Sequence, residues 1–278
     1  MITPNPTDQR RALAQRLADA CPPDFASEIA ITGSTARGRA DETSDLEMNF
    51  WRADTIPELD LRFDWLTTLG AEKFDYIGEH EDSSDWIDCQ IDGIPCEIGF
   101  QTFDALETLI AQMLDGIGYD TAVCDLIIRA VPLRSSGWLA REQARLAAYS
   151  DAAYRTQCVL ALKELQSETL LTLNRWIERG ARLALIDLLV ADVEETLRLA
   201  FALNRRWMPS RKWMLHDARE LLTLPPEFFA RIDGAFVGTE REIVDHCAAL
   251  IRSTIDLIPA TDAGLNAMIA KVRPIWGG

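Results

Sequence analysis

Apolar positions recur at helical intervals through residues 8–20 and stop before Pro22-Pro23, which predicts a short amphipathic helix. Residues 28–32 are a brief apolar run that meets Gly33-Ser34, the pattern of a strand ended by a tight turn. From Asp45 to Trp51 apolar and polar residues alternate with a period of two, so a strand here carries Asp45 and Glu47 on one face. Residues 57–69 suit a helix with Pro57 in its first turn and Gly70 as its C-terminal cap. Three more strands are expected at 73–79, 86–91 and 94–100. The last two are separated by Asp92-Gly93, a two-residue turn that places both residues at positive φ.

Beyond Thr102 the pattern is almost wholly helical, with candidates near 103–115, 119–130, 138–149, 151–179, 181–206, 211–222, 226–233 and 237–258. Pro132, Pro209, Pro225-Pro226 and Pro259 punctuate this half, because proline interrupts helical hydrogen bonding. No repeat, low-complexity tract or long linker stands out. The expected fold class is α+β: a mixed sheet with flanking helices over residues 1–118, followed by an all-α helical domain over residues 119–278.

Charge sharpens this division. The 278 residues carry a formal charge of −16, and all of it lies in the first part: residues 1–118 hold 24 acids and 8 bases, residues 119–278 hold 20 of each. Such an excess repels a phosphate backbone over a broad surface, which argues against a general nucleic-acid binder and favours divalent metals and cationic partners. No apolar stretch approaches a membrane-spanning length, and the start lacks the basic-then-apolar order of a signal peptide, so a cytoplasmic protein is expected. The six cysteines are dispersed without a CxxC pair and are expected as reduced, mostly packed thiols. His80, His216 and His246 share no metal-ligand spacing, which argues against a structural zinc site.

The chemistry concentrates in Ile31-Thr32-Gly33-Ser34, then ten residues, then Asp45-Leu46-Glu47. A glycine lets the backbone approach a triphosphate, the serine hydroxyl and nearby amides hold phosphate oxygens, and a helix starting near Thr35 would add its positive N-terminal end. Two carboxylates at i and i+2 of a strand point the same way and can hold hard cations such as Mg²⁺ through oxygen ligands, while phosphate oxygens complete the coordination. Glu97, in the second arm of the hairpin, is the candidate third carboxylate.

Other features carry two readings each. Arg37 and Arg39 lie where guanidinium groups can grip phosphate, or are solvated loop charges. Arg205, Arg206, Arg211, Lys212 and Arg219 form the strongest basic patch; it meets the triphosphate or pyrophosphate, with Lys212 the foremost nucleotide contact, or it is a salt-bridge patch. Trp207 and Trp213 stack on a ring or pack in a core. Asp75, Glu79, Glu81, Asp82, Asp85 and Asp88 attract a polycationic acceptor or form a solvated acidic surface.

The spacing Gly33-Ser34-x10-Asp45-x-Glu47, with a later apolar-Glu97-apolar strand, resembles the nucleotidyltransferase superfamily that shares the polymerase-β catalytic fold. Residues 33–48 (GSTARGRADETSDLEM) are similar to the branch holding bacterial aminoglycoside and lincosamide nucleotidyltransferases, which carry a helical domain after the catalytic one. Residues 203–213 (LNRRWMPSRKW) resemble a stretch of DUF4037-like proteins. The resemblance implies a nucleotidyltransferase-fold domain over 1–118 and a Mg²⁺-dependent transfer of a nucleoside monophosphate, usually AMP from ATP, to a hydroxyl, with pyrophosphate leaving. By position, Gly33 and Ser34 would contact the triphosphate and Asp45 and Glu47 would bind metal; Glu97 would be a metal ligand or the general base. Glu47 stands where many members of the superfamily carry aspartate.

Three functions are compatible with this pattern. The first is an ATP- and Mg²⁺-dependent adenylyltransferase acting on a small hydroxyl-bearing acceptor, an aminoglycoside-like antibiotic being one analogy. The second is a protein adenylyltransferase of the antitoxin type, whose relatives are generally minimal catalytic domains. The third is a nucleotide-binding regulator without catalysis, from which loss of one carboxylate would be expected, whereas candidates for all three are present here.

Overall fold

In the computed structural model, residues 5–76, 84–168 and 170–277 are described. Six strands form one open sheet in the order β3-β4-β5-β2-β1-β6: β1 Glu28–Ile31, β2 Leu46–Arg52, β3 Ala71–Tyr76, β4 Ser84–Ile91, β5 Ile94–Thr102 and β6 Val131–Arg134. The β2–β5 pair is parallel and the other pairs are antiparallel, so the sheet is mixed. The hairpin turn is as the sequence predicts, with Asp92 at φ +52° and Gly93 at φ +80°. The strand expected at 73–79 ends at Tyr76 among the described residues; Glu79, His80, Glu81 and Asp82 lie outside them.

The chain divides into two units, residues 1–112 with 123–148 and residues 113–122 with 149–278. This differs from a boundary at 118/119 with nothing but helix beyond it. β6 pairs with β1 and carries residues 123–148 back to the sheet. Its four residues include Pro132, which lacks a backbone donor and is tolerated because β6 is the edge strand.

In the sheet unit, α1 (Pro6–Ala20) and α3 (Leu59–Thr68) supply Leu13, Leu17, Trp65 and Leu66 to a core shared with Ile29, Ile31, Leu46, Met48, Phe50, Ile87, Ile98 and Phe100. Phe50 stacks on Phe100 at 5.1 Å and meets Trp65 edge-on at 5.5 Å. Burying a side chain of this size stabilises by roughly 1.5–3 kcal/mol, so this face of β2 and β5 is fixed toward the core. The alternate residues Glu47, Asn49 and Trp51 point to the opposite face. Trp51 is covered there by Trp138 of α6 (Trp138–Ala147), 5.4 Å away, and Glu47 is only partly covered. Along the chain α2 (Gly33–Ala36) links β1 to β2, and α4 (Phe103–Leu114) and α5 (Thr121–Arg129) lie between β5 and β6.

The helical unit is built on α9 (Arg182–Leu203), against which α7 (Asp151–Glu164), α8 (Leu170–Glu178), α10 (Arg211–Ala218) and α12 (Glu240–Ile255) pack. The single helix expected over 151–179 is two, α7 and α8. Two further helices complete the unit, α11 (Phe228–Gly234) on α12 and α13 (Ala263–Ile275) on α7. The sequence reading stopped at residue 258 and omitted α13, whose start is capped by the Asp262 side chain accepting from the N–H groups of Gly264 and Leu265. No helix among the described residues is long and apolar enough to cross a membrane.

Candidate active site

Gly33 opens α2 in the left-handed region, at φ +57°. Its bare Cα is met from the side by the Glu47 carboxylate: a Cβ at this position would lie 2.2 Å from Glu47 Cδ. The residue before it is fixed by the same strand, because the Thr32 N–H donates to the Glu47 carbonyl at 3.0 Å and the Asn49 amide donates to the Thr32 hydroxyl at 3.0 Å. Asn49 has room because Gly99 faces it on β5; a Cβ there would lie 2.9 Å from Asn49 Oδ1. The glycine turn and β2 are therefore one packed unit.

α2 is a single turn of four residues. The helix expected to start near Thr35 begins at Gly33 and runs for this one turn, so its dipole contribution is small. What the turn does present is two hydroxyls: Ser34 Oγ and Thr35 Oγ1 are buried with no hydrogen-bond partner among the described residues. An unsatisfied buried hydroxyl costs about 1–3 kcal/mol, so the fold holds this pair at an expense that a bound acceptor or donor would relieve.

The sheet register assembles the acids. Glu47 and Glu97 are Cα partners on the parallel strands β2 and β5, Glu97 is the partner of Asp88 across the hairpin, and Asp88 is the partner of Asp75 on β3. Directly paired residues share a face and neighbouring strands lie about 4.8 Å apart, so four carboxylates run in one row across four strands. Asp45 immediately precedes β2 and is partly exposed like Glu47, with buried Leu46 between them. It lies close enough to Asp88 to act on it: burial, Asp75 and Asp45 together hold the Asp88 carboxyl above the ordinary aspartate range. Asp88 was expected only as part of a broad acidic surface. Asp85, from the same set, is buried in a paired contact with Arg62 that also includes an Nη2–Oδ2 bond of 2.8 Å.

The donor set is therefore of hard carboxylate oxygens, the type that suits Mg²⁺, beside the glycine turn and an orphaned serine hydroxyl. Among the described residues no three His, Cys, Asp or Glu side chains converge tightly enough to hold an ion by themselves. The arrangement fits an ion held by Asp45 and Glu47 that takes its remaining oxygens from a bound phosphate.

The basic candidates fare differently. The Arg37 guanidinium is turned to Asp125 of α5, both side chains being nearly buried, and Asp125 also accepts from Arg129 Nε at 3.1 Å. Arg39 is exposed, and its backbone N–H closes the turn on the Ser34 carbonyl at 2.9 Å. In the helical unit Arg205 pairs with Asp151 at 2.7 Å, Arg206 with Glu220 at 3.0 Å and Arg211 with Glu194 at 2.6 Å, and Arg219 lies over the Phe229 ring. Most of this patch is thus a set of salt bridges inside one unit. Lys212 is exposed in the first turn of α10. Trp207 is buried against Tyr149, ring centroids 4.3 Å apart, and Trp213 meets His216 edge-on. All six cysteines are free and buried.

No curated protein matches the chain. Residues 127–214, less than half of its length, match the family model described as Domain of unknown function (DUF4037), a stretch that holds β6, α6 and the Leu203–Trp213 segment.

Proposed function

We propose that the chain is a nucleotidyltransferase of the polymerase-β-like superfamily, moving a nucleoside monophosphate, AMP from ATP in the first instance, to a hydroxyl of a small acceptor. The observation that carries this reading is the close apposition of Gly33 and the Glu47 carboxylate, with the Ser34 hydroxyl left without a partner beside it. Gly33 and Ser34 receive the triphosphate, and Asp45 and Glu47 hold Mg²⁺. A bound Mg²⁺ supplies neutralisation of the charge that builds on the phosphate. The acceptor oxygen attacks the α-phosphorus in line, the bond to pyrophosphate breaks, and the hydroxyl proton passes to a carboxylate of the row, Glu97 being the nearest in register to Glu47. Arg37, committed to Asp125, anchors the end of the glycine turn instead of gripping the nucleotide.

The test is incubation with Mg²⁺, ATP labelled at the α-phosphorus and a small-metabolite extract. Label is expected in small molecules, with pyrophosphate released, and a fall of at least about a hundredfold is expected for Asp45→Asn and Glu47→Gln. Absence of transfer from any of the four ribonucleotides, or full transfer by both variants, overturns the proposal. Label confined to a protein band overturns the small acceptor and moves the target to a side-chain hydroxyl.

A further inference from the structure

Asp192 stands in the middle of α9 on its core face, 3% exposed, among Leu185, Leu189, Val193 and Thr196. Its Oδ2 is buried without a partner, and no hydrogen bond or ion pair reaches the carboxyl among the described residues. Such a group is expensive as an anion, because burial removes its hydration and nothing replaces it. Two acids acting on it make matters worse, Glu195 on its own helix and Glu164 from α7, while the Cys247 thiol of α12, itself raised by Asp192, brings no charge. The other helices packed on α9, α8 and α10, bring no charge that acts on it. Arg198, nearly two turns along α9, is held by Glu195 at 2.8 Å and by Gln157 Oε1 at 2.9 Å.

We propose that Asp192 is a proton latch: the helical unit closes α7 and α12 on α9 around a protonated, neutral Asp192, and loosens when that proton is lost. Burial first, then Glu195 and Glu164, push its carboxyl up to about 7. The sign follows from linkage. In the unfolded chain an aspartate titrates near 3.9, so between about pH 4 and 7 the folded unit keeps a proton that the unfolded one releases. Its stabilising effect is complete below about pH 4, is lost as pH rises toward 7, and changes no further above that, where Asp192 is ionised in both states. Cys247, pushed up to about 12 by burial and by Asp192, stays neutral throughout this range.

The experiment is hydrogen exchange of the α9 amides in the full chain, comparing the natural protein with Asp192→Asn, which keeps the shape and removes the ionisation, at intervals from pH 5 to 8 after correction for intrinsic exchange. The ratio of protection factors, natural over variant, is expected to fall on the order of a hundredfold between pH 5 and 7.5 and then level off. A ratio that does not change with pH overturns the latch. Should the variant fail to fold, ¹³C labelling of aspartate carboxyls in the natural chain gives the same decision: an Asp192 midpoint near neutrality supports the latch and a midpoint near 4 overturns it.

Discussion

The Glu47 carboxylate occupies the space that a side chain on residue 33 would need: a Cβ on Gly33 would lie 2.2 Å from its Cδ and Oε1 and 2.5 Å from Oε2. The backbone there, at φ +57°, disfavours a side chain as well. Gly33→Ala is therefore expected to lower stability by about 1–3 kcal/mol and to abolish nucleotidyl transfer. The two causes separate in a double-mutant cycle by urea unfolding. In a Glu47→Ala background the steric part disappears and the backbone part stays, leaving a coupling of roughly 1–2 kcal/mol.

Arg37 is expected to act on stability more than on affinity. With Asp125 and itself nearly buried, Arg37→Ala removes one guanidinium from the buried carboxylate and costs about 2–4 kcal/mol in chemical denaturation. ATP affinity of the folded variant, by calorimetry, changes less than about threefold, since a lone arginine contact to phosphate would be worth more than that.

Arg62 and Asp85 make a bidentate pair with side chains 3% and 4% exposed, under the Phe100 ring. Arg62→Met alone removes the bidentate guanidinium from the buried Asp85 carboxylate and is expected to cost about 3–5 kcal/mol. Arg62→Met with Asp85→Leu recovers most of that loss, which urea titration of the single and double variants reads directly.

The row Asp75, Asp88, Glu97 and Glu47 sets like charges on adjacent strands, an arrangement that weakens a sheet unless a cation offsets it. Asp88→Asn is expected to raise the melting temperature in a chelator and to raise it less in millimolar Mg²⁺. Equal gains in both media would show that no cation visits the row.

Much of this site was legible because local rules coincide with the tertiary outcome. Alternation predicted the strand that is β2, with Glu47 on its polar face, although Asp45 falls just before it, and the Asp92-Gly93 turn predicted the hairpin. The same turn contained an unused signal: counting three residues back from Ile91 and three forward from Ile94 sets Asp88 opposite Glu97, which a pattern of surface acids conceals. β6 was not legible, since four residues with a proline carry no periodicity and their partner β1 lies about a hundred residues earlier. The ion pair of Arg37, read from sequence as a phosphate grip or a solvated charge, was not legible for a related reason: its partner Asp125 is 88 positions away. α13 carried a readable Asp262 cap, but Pro259 before it and Pro274 within it marked an end to helix.

The most direct measurement of the central claim is calorimetric titration of the full chain with a non-hydrolysable ATP analogue, in Mg²⁺ and in chelator. One Mg²⁺-dependent site per chain is predicted, weakened at least about tenfold by Ser34→Ala and lost in the Asp45→Asn, Glu47→Gln double variant. Binding that ignores Mg²⁺, or that survives in the double variant unchanged, would contradict the account.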